Sequence, residues 1–385
     1  MRAVELFAGA GGLGMGVSRA GFVPVVVIER DSYCCDTIRE NQRRDMSPVN
    51  HWPLTQGDIR DFKFSKIKSG IDFVSGGPPC QPFSLGGKHK GNDDARDMFP
   101  QAVRALRELK PRAFLFENVK GLTRSTFATY FEYIRLQMTY PELTVKRAER
   151  WQDHLARLER KHTQGANDGL SYKIVARVLN AANYGIPQRR ERIFFVGFRS
   201  DLNIEWAFPD PTHSREAMLW DQTKGDYWER HRIPRNQRFI PDLSMPQRSL
   251  FEKAPLRPWR TVRDALTGLP DPELENEASS AFLNHRFQAG ARSYKGHSGS
   301  PLDEPAKTLK AGVHGVPGGE NMLCRPDGSV RYFTVRETAR LQTFPDEFLF
   351  HGSWTETMRQ LGNAVPVDLA RLIASDIKEH LERGP

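Results

Sequence analysis

A cysteine stands at the tip of Gly76-Gly77-Pro78-Pro79-Cys80-Gln81-Pro82-Phe83-Ser84. Glycines and prolines force a rigid, non-helical turn there. Lone cysteines are most often small core thiols, which need no such punctuation. A nucleophile does need it, because its backbone must be held still while its sulfur stays reachable. A second reactive group is the carboxylate of Glu117, near the end of the apolar run Ala113-Phe114-Leu115-Phe116-Glu117-Asn118-Val119. An acid buried there must be paired or protonated. A third is the cluster Gln188-Arg189-Arg190-Glu191-Arg192. Runs of this kind are usually solvated. Here it is wedged between Tyr184-Gly185-Ile186-Pro187 and the apolar strand Ile193-Phe194-Phe195-Val196-Gly197-Phe198, so part of it must point into structure.

The elements that position these groups begin with the strand Val4-Glu5-Leu6-Phe7. The turn Ala8-Gly9-Ala10-Gly11-Gly12-Leu13-Gly14-Met15-Gly16 follows and runs into a helix. A strand, a glycine-rich turn and a helix N-terminus expose backbone N–H groups to a nucleotide-type ligand. The next strand, Val25-Val26-Val27-Ile28-Glu29, ends in a carboxylate about twenty residues after the glycines, placed to accept from ribose hydroxyls. Asp58, in Gly57-Asp58-Ile59, could accept from the exocyclic amine of adenine or be an ordinary turn aspartate. At this stage NAD and S-adenosylmethionine both fit.

Ile71-Asp72-Phe73-Val74 reads as the buried strand leading into the Cys80 turn. Residues 85–97 are polar, glycine-bearing and without periodicity, a candidate lid beside the thiol. A helix is expected from Met98 to Leu109, ended by Pro111. Residues 123–171 read as an insertion carrying an amphipathic surface helix, with Trp151, Leu155 and Leu158 at helical spacing among basic residues. A strand is expected from Tyr172 to Leu179. After Phe198 the chain turns proline-rich and irregular, and a domain boundary is placed near Arg199. Thr334 with Glu337 makes a capping box for a helix over 333–342, and Gly362-Asn363-Ala364-Val365-Pro366 opens a last helix.

The chain of 385 residues carries a net charge of +9, 38% hydrophobic and 27% charged residues, and a pI near 9.4. That is room for two domains, and the charge favours a polyanionic partner. The opening strand leaves no secretory leader to expect, and no apolar run is long enough to span a membrane. Cys34, Cys35, Cys80 and Cys324 form neither a disulfide framework nor a metal-ligand spacing; a reducing cytoplasmic setting is expected, with no metal.

Taken together, the residues suit methyl transfer to a pyrimidine carbon. C5 of cytosine becomes nucleophilic once a thiolate adds at C6. An acid at N3 and an arginine at O2 assist that addition; Glu117 can supply the first and Arg192 or Arg190 the second. C6 is unreachable inside a duplex stack, so the base must be flipped out.

The chain resembles the cytosine-C5 DNA methyltransferases. The resemblance is carried by Phe7 to Gly12, Gly77-Pro78-Pro79-Cys80-Gln81, Glu117-Asn118-Val119, Gln188 to Arg192, Arg336-Glu337 with Ala339-Arg340, and Gly362 to Pro366, in the family's order. It implies an α/β fold: a Rossmann-like, doubly wound catalytic domain over 1–199 that binds S-adenosylmethionine. A smaller, irregular, β-containing target-recognition domain would cover 200–330. The last motifs, over 331–385, would return a helix to the catalytic domain. By the same resemblance Cys80 is the nucleophile, Glu117 the N3 partner and Arg192, with Arg190 beside it, the arginine at the base. Phe7, Gly9, Gly11, Gly12, Leu13, Glu29, Asp58, Ile59, Pro79, Asn363 and Val365 would line the cofactor, and Gln81 and Ser84 would face DNA.

Two stretches of the recognition region are candidates for duplex contact. Residues 224–263 are basic with Tyr227, Trp228, Phe239 and Trp259 interleaved, suited to phosphates or merely a solvated face. Residues 286–319 set Arg292, Lys295, His297, Lys310 and His314 among glycines, suited to base edges. The expected partner is double-stranded DNA, bound by a monomer, with a restriction endonuclease acting on the same site without contact. A tRNA cytosine methyltransferase on the same scaffold and a catalytically silent DNA-binding paralogue are the alternatives.

Overall fold

Short runs of β-branched and aromatic residues build the spine. In the computed structural model, β1 (Arg2–Leu6), α1 (Gly12–Arg19), β2 (Val23–Glu29), α2 (Ser32–Arg43), β3 (Leu54–Gln56), β4 (Phe73–Gly76) and α3 (Phe99–Leu109) come first. They are followed by β5 (Ala113–Val119), α4 (Ala128–Thr139), α5 (Trp151–Gln164), β6 (Tyr172–Asn180) and β7 (Glu191–Arg199). The structure describes residues 1–67, 70–79, 97–165, 169–238, 255–274, 281–295, 297–311 and 321–384. Cys80, Gln81, Ser84, all but the last residue of the expected lid, Phe239 and His314 lie outside the described residues.

The seven strands form one sheet in the order β3-β2-β1-β4-β5-β7-β6. The first five are parallel. β7 runs antiparallel to both β5 and β6. Alternation along the strands divides the core between two faces. Val4 and Leu6 pack with α3 and α4 on one side; Ala3 packs with α1 and the chain's last helix on the other. The strand order reverses between β1 and β4, so the ligand crevice of a doubly wound sheet lies at the carboxyl ends of these strands.

The irregular region holds short helices α6 (Arg215–Thr223), α7 (Tyr227–Arg230) and α8 (Val262–Leu266), with two small sheets. Three helices close the chain: α9 (Val335–Leu341), α10 (Trp354–Asn363) and α11 (Val367–Arg383). Thr334 caps α9 with the expected box. Gly362 and Asn363 end α10 instead of opening the last helix, which begins at Val367. Ser353 accepts from Glu356 N and starts α10. α11 lies against α1 almost backbone to backbone: a Cβ on Gly16 would stand 2.4 Å from Ala370 Cβ and 2.6 Å from Val367 O. No described helix is long and apolar enough to cross a membrane.

One core group is unusual. Glu5 on β1 is 3% exposed; its Oε2 accepts from Ser75 Oγ, and its Oε1 has no partner among the described residues. Burial pushes its carboxyl up to about 8 from 4.5. Below the lower value it is protonated folded or unfolded. As pH rises, the unfolded chain loses a proton that the folded chain keeps, so stability declines until about pH 8. Glu5→Gln stays neutral throughout. It should therefore melt a few degrees above wild type at about pH 9 and close to wild type at about pH 5, read by thermal denaturation of the cofactor-free protein. Parallel melting curves at both pH values would show that Glu5 is not held protonated.

Candidate active site

One side of the crevice is built on the carboxyl ends of β1 and β2. Phe7 sits in the left-handed region at φ 54°, an uncommon conformation for a bulky residue that turns the chain sharply after β1. Gly9 follows at φ 55°, and a Cβ there would meet nothing within 4 Å, so the turn faces open space. Glu29 ties the turn to β2. Its Oε2 accepts from Gly9 N at 2.7 Å, and its Oε1 accepts from Arg30 N at 2.8 Å and Asp31 N at 2.7 Å. Asp58 caps a short turn through Arg60 N, and its carboxylate pairs with Arg60 at 2.6 Å and Arg30 at 3.4 Å. Those guanidiniums hold Asp58 well below the usual carboxylate range, the Arg60 hydrogen bond foremost.

Val365 reaches this turn from the far end of the chain. Leu13 and Val365 share one core cluster, and a Cβ on Gly12 would stand 2.4 Å from Val365 O. Gly11 and Gly12 are buried in the turn, whereas Asn363 and Pro79 are exposed. Leu13, Ile59 and Val365 are at most 4% exposed, so they form the floor of the crevice more than its lining. Glu29 holds Gly9 N with its side chain and Gly57 N, next to Asp58, with its carbonyl, and Val365 O lies against Gly12.

The catalytic side lies at the carboxyl ends of β4 and β5. The antiparallel register places Arg192 opposite Val119 and Phe194 opposite Glu117. This diagonal lets Arg192 Nε meet Glu117 Oε1 at 2.9 Å, both side chains largely buried. Glu117 Oε2 lies over Gly77, where a Cβ would be 3.4 Å from it. Asn118 Nδ2 donates to Pro78 O at 2.8 Å, and Met98 N to Pro79 O at 3.1 Å. The backbone that enters the Cys80 turn is thus fixed from both sides. Burial pushes the Glu117 carboxyl above the usual range, with Arg192 and then Arg190 pulling it back.

Arg190 and Arg192 do not share a role. Arg190 is 1% exposed, and its guanidinium donates to two backbone carbonyls. Of the two, Arg192 alone meets Glu117 in a hydrogen-bonded pair. Cys34 and Cys35 are no rivals to Cys80. Burial and the nearby Glu29 push Cys35 up to about 12 and Cys34 also far above its usual range.

The two stretches of the irregular region differ. In 224–263, Tyr227 and Trp228 are core residues. Arg230 pairs with Asp221 and Asp226, Arg238 with Glu229, and Arg263 with Asp303. Much of the charge expected to face phosphate is thus engaged internally. In 286–311, Arg292, Lys295 and Lys310 are exposed and His297 half-buried. Tyr294 and His297 exchange backbone hydrogen bonds at 3.3 and 2.7 Å in a tight turn. The sequence names Asn118 and Gln188 only within motifs and gives Glu5 no role; that the Asn118 amide meets Pro78 O, and Gln188 Oε1 meets Leu309 N, shows only in the fold.

The family model for C-5 cytosine-specific DNA methylases matches residues 1–140 and 153–379. The chain is 32% identical to the Type II methyltransferase M.PspPI of Psychrobacter sp. (strain TA137), over 99% of this chain and 80% of that one. It is 29% identical to the Type II methyltransferase M.Eco47II of Escherichia coli, over 99% of this chain and 79% of that one. Among solved structures, an E. coli prophage protein described as a DNA modification methyltransferase superposes with a TM-score of 0.61 at 22% identity, covering 99% of both chains. The Dnmt2 methyltransferase of S. pombe superposes at 0.54 and 18%, covering 100% of this chain and 99% of that one. These last two likenesses speak for the fold, a Rossmann-like sheet. The family match spans that sheet and the closing helices together, and the chain belongs to the C-5 cytosine-specific DNA methylases.

Proposed function

We propose that this protein is a site-specific modification methyltransferase of the Type II kind, methylating C5 of a flipped-out cytosine in duplex DNA. The observation that carries the reading is the Glu117–Arg192 pair, 2.9 Å apart, set over Gly77 immediately before Pro78-Pro79-Cys80. S-adenosylmethionine, when bound, supplies an electrophilic methyl group to C5. The open glycine turn and the Glu29 carboxylate fit its ribose, and Asp58 and Phe7 fit its adenine, with Asn363 and Val365 across the crevice. Arg192 orients Glu117 and holds O2. Glu117, whose carboxyl burial pushes upward, donates in its protonated form to N3 as the Cys80 thiolate adds at C6. After transfer, a base removes the C5 proton and the C6–sulfur bond breaks, restoring the ring and the thiolate.

In this reading residues 1–199 are the catalytic domain, 200–330 the recognition domain, and 331–385 the return to the catalytic domain. Gln81 and Ser84 would meet DNA beside the thiol. The monomer would act alone on its duplex, with a restriction endonuclease cutting the same unmethylated site. The exposure of Arg292, Lys295 and Lys310 supports 286–311, with His297, as the base-reading segment, while the internal pairing of 224–263 argues against that stretch.

Bisulfite sequencing of DNA from cells expressing the protein should reveal one short methylated motif; cytosine methylation confined to tRNA would overturn the reading. Duplexes carrying 5-fluorocytosine within that motif should give a gel-stable adduct with wild type and none with Cys80→Ser. Glu117→Gln should slow single-turnover transfer and flatten the alkaline limb of its pH profile, because ionising Glu117 removes the N3 donor as pH rises. Titration calorimetry should find S-adenosylmethionine bound about 1–3 kcal/mol more weakly by Glu29→Ala, the cost of a lost charge-assisted hydrogen bond. Alanine at Arg292, Lys295, His297 or Lys310 should relax one position of the motif, by roughly 1–3 kcal/mol for a base reader. If all four leave the motif unchanged, base reading lies elsewhere.

A further inference from the structure

Arg190 is a buried cation whose guanidinium is engaged by the backbone. Its Nη1 donates to Leu309 O at 3.1 Å, its Nη2 donates to Gly362 O at 2.8 Å, and its Nε has no partner among the described residues. Burial and the neighbouring Arg192 disfavour its charged form, and Glu117 offsets this only in part. A guanidinium in such a place is costly, and an apolar side chain would fill it more cheaply. What the guanidinium adds is a fork that spans two carbonyls from distant parts of the chain.

Those two carbonyls belong to functional segments. Leu309 lies in the stretch 306–311, which is laid along 187–190 like an added strand. Ala306 N donates to Pro187 O at 2.9 Å and Arg189 N to Ala306 O at 2.8 Å. Leu309 N donates to Gln188 Oε1 at 3.1 Å and Thr308 Oγ1 to Arg189 O at 2.6 Å. Asn321 then holds Lys310 through both its N–H and its carbonyl. Gly362 directly precedes Asn363, on the cofactor wall. The two segments press together: a Cβ on Gly362 would stand 2.3 Å from Ala311 N and 2.5 Å from Lys310 C. Arg190 closes this seam from behind, one residue from Glu191 and two from Arg192.

We propose that Arg190 is a positioning residue that locks the recognition segment 306–311 to the cofactor wall 362–365, so that duplex and cofactor bind with a shared free energy. A duplex that shifts or stiffens 306–311 acts on Gly362 through the Arg190 fork, and hence on Asn363 and Val365. By reciprocity the bound cofactor fixes the register of the recognition segment. The inference rests on the function proposed above, since it takes 306–311 to be DNA-facing and 362–365 to face the cofactor.

The test uses the full chain, S-adenosylhomocysteine as the cofactor-site probe, and sheared duplex DNA from a host without cytosine methylation. Titration calorimetry gives the dissociation constant of the probe with and without saturating DNA. Wild type should bind it at least about fivefold tighter with DNA, the lower range of allosteric coupling. Arg190→Met keeps the bulk and removes the fork. It should bring the ratio to about one while leaving affinity in the absence of DNA within about threefold. Arg190→Lys, which keeps a single donor group, should restore part of the ratio. Gly362→Ala forces the seam apart by another route and should lower the ratio too. A purely structural role would lower the melting temperature and leave the ratio alone. The proposal is overturned if folded Arg190→Met keeps the wild-type ratio, or if wild type methylates DNA with a ratio of one. If Arg190→Met does not fold, a wild-type ratio in Gly362→Ala overturns it. Failure of the underlying function looks different: wild type would then bind no probe or methylate no DNA.

Discussion

A carboxylate and a guanidinium, 2.9 Å apart and largely out of water, set the terms for the rest of this structure. Removing both from solvent costs several kcal/mol per ion before their attraction is counted, and a pair of apolar side chains would serve stability at least as well. The pair persists only because its surroundings over-determine it. β5 delivers Glu117 at its carboxyl end, and β7 must run antiparallel to deliver Arg192 to the same place. Gly77 leaves room above the second carboxylate oxygen, and Asn118 pins the Pro78 carbonyl alongside. The β6–β7 hairpin at the sheet's edge is thus the device that brings a cation to an acid on a parallel strand.

The segment packed against the glycine turn comes from the other end of the chain. α11 packs on α1 so closely that Gly16 has no room for a side chain, and this contact carries Asn363 and Val365 to the glycine turn. The crevice therefore exists only when both chain ends have folded onto the sheet. The irregular region between them is fastened through short backbone pairings, with 306–309 lying along 187–190, and through a small apolar cluster containing Leu309, Phe333 and Leu341. Few long elements take part, so its register depends on individual hydrogen bonds and on buried groups such as Gln188 and Arg190.

Much of this is visible in the chain itself. β1, β2, β4 and β5 are apolar runs bounded by glycine or a carboxylate, α5 shows in Trp151, Leu155 and Leu158, and α9 in the Thr334–Glu337 box. Other features are not, for identifiable reasons. An apolar run such as 193–198 has no direction, so the reversal of β7 is invisible until its partners are known. Arg190 and Arg192 are two apart on extended chain and look alike; the carbonyls of Leu309 and Gly362, remote in sequence, separate them. The basic stretch 224–263 reads as open to phosphate because some of its counter-ions, Asp221 and Asp303, lie outside it. α10 is less apolar than a core helix should be, and only Ser353 with Glu356 marks its start.

The charges left around the crevice are sorted by side. Glu29 stands at the end of β2, and Asp58, paired with Arg60 and Arg30, just beyond the end of β3. Arg192 stands near the start of β7 beside Glu117, with Arg190 buried just before the strand. In a partly desolvated cleft such separation acts over the whole site, because fixed charges there are screened far less than at the surface. Glu117 feels burial as well as these cations. The two arginines by themselves pull its carboxyl down. Burial in a sheet end, with Phe194 and Phe116 as neighbours, pushes the carboxyl back up toward the protonated form. The acid's proton is thus set by a balance of desolvation against two cations, and the strands that supply the cations also supply the desolvation.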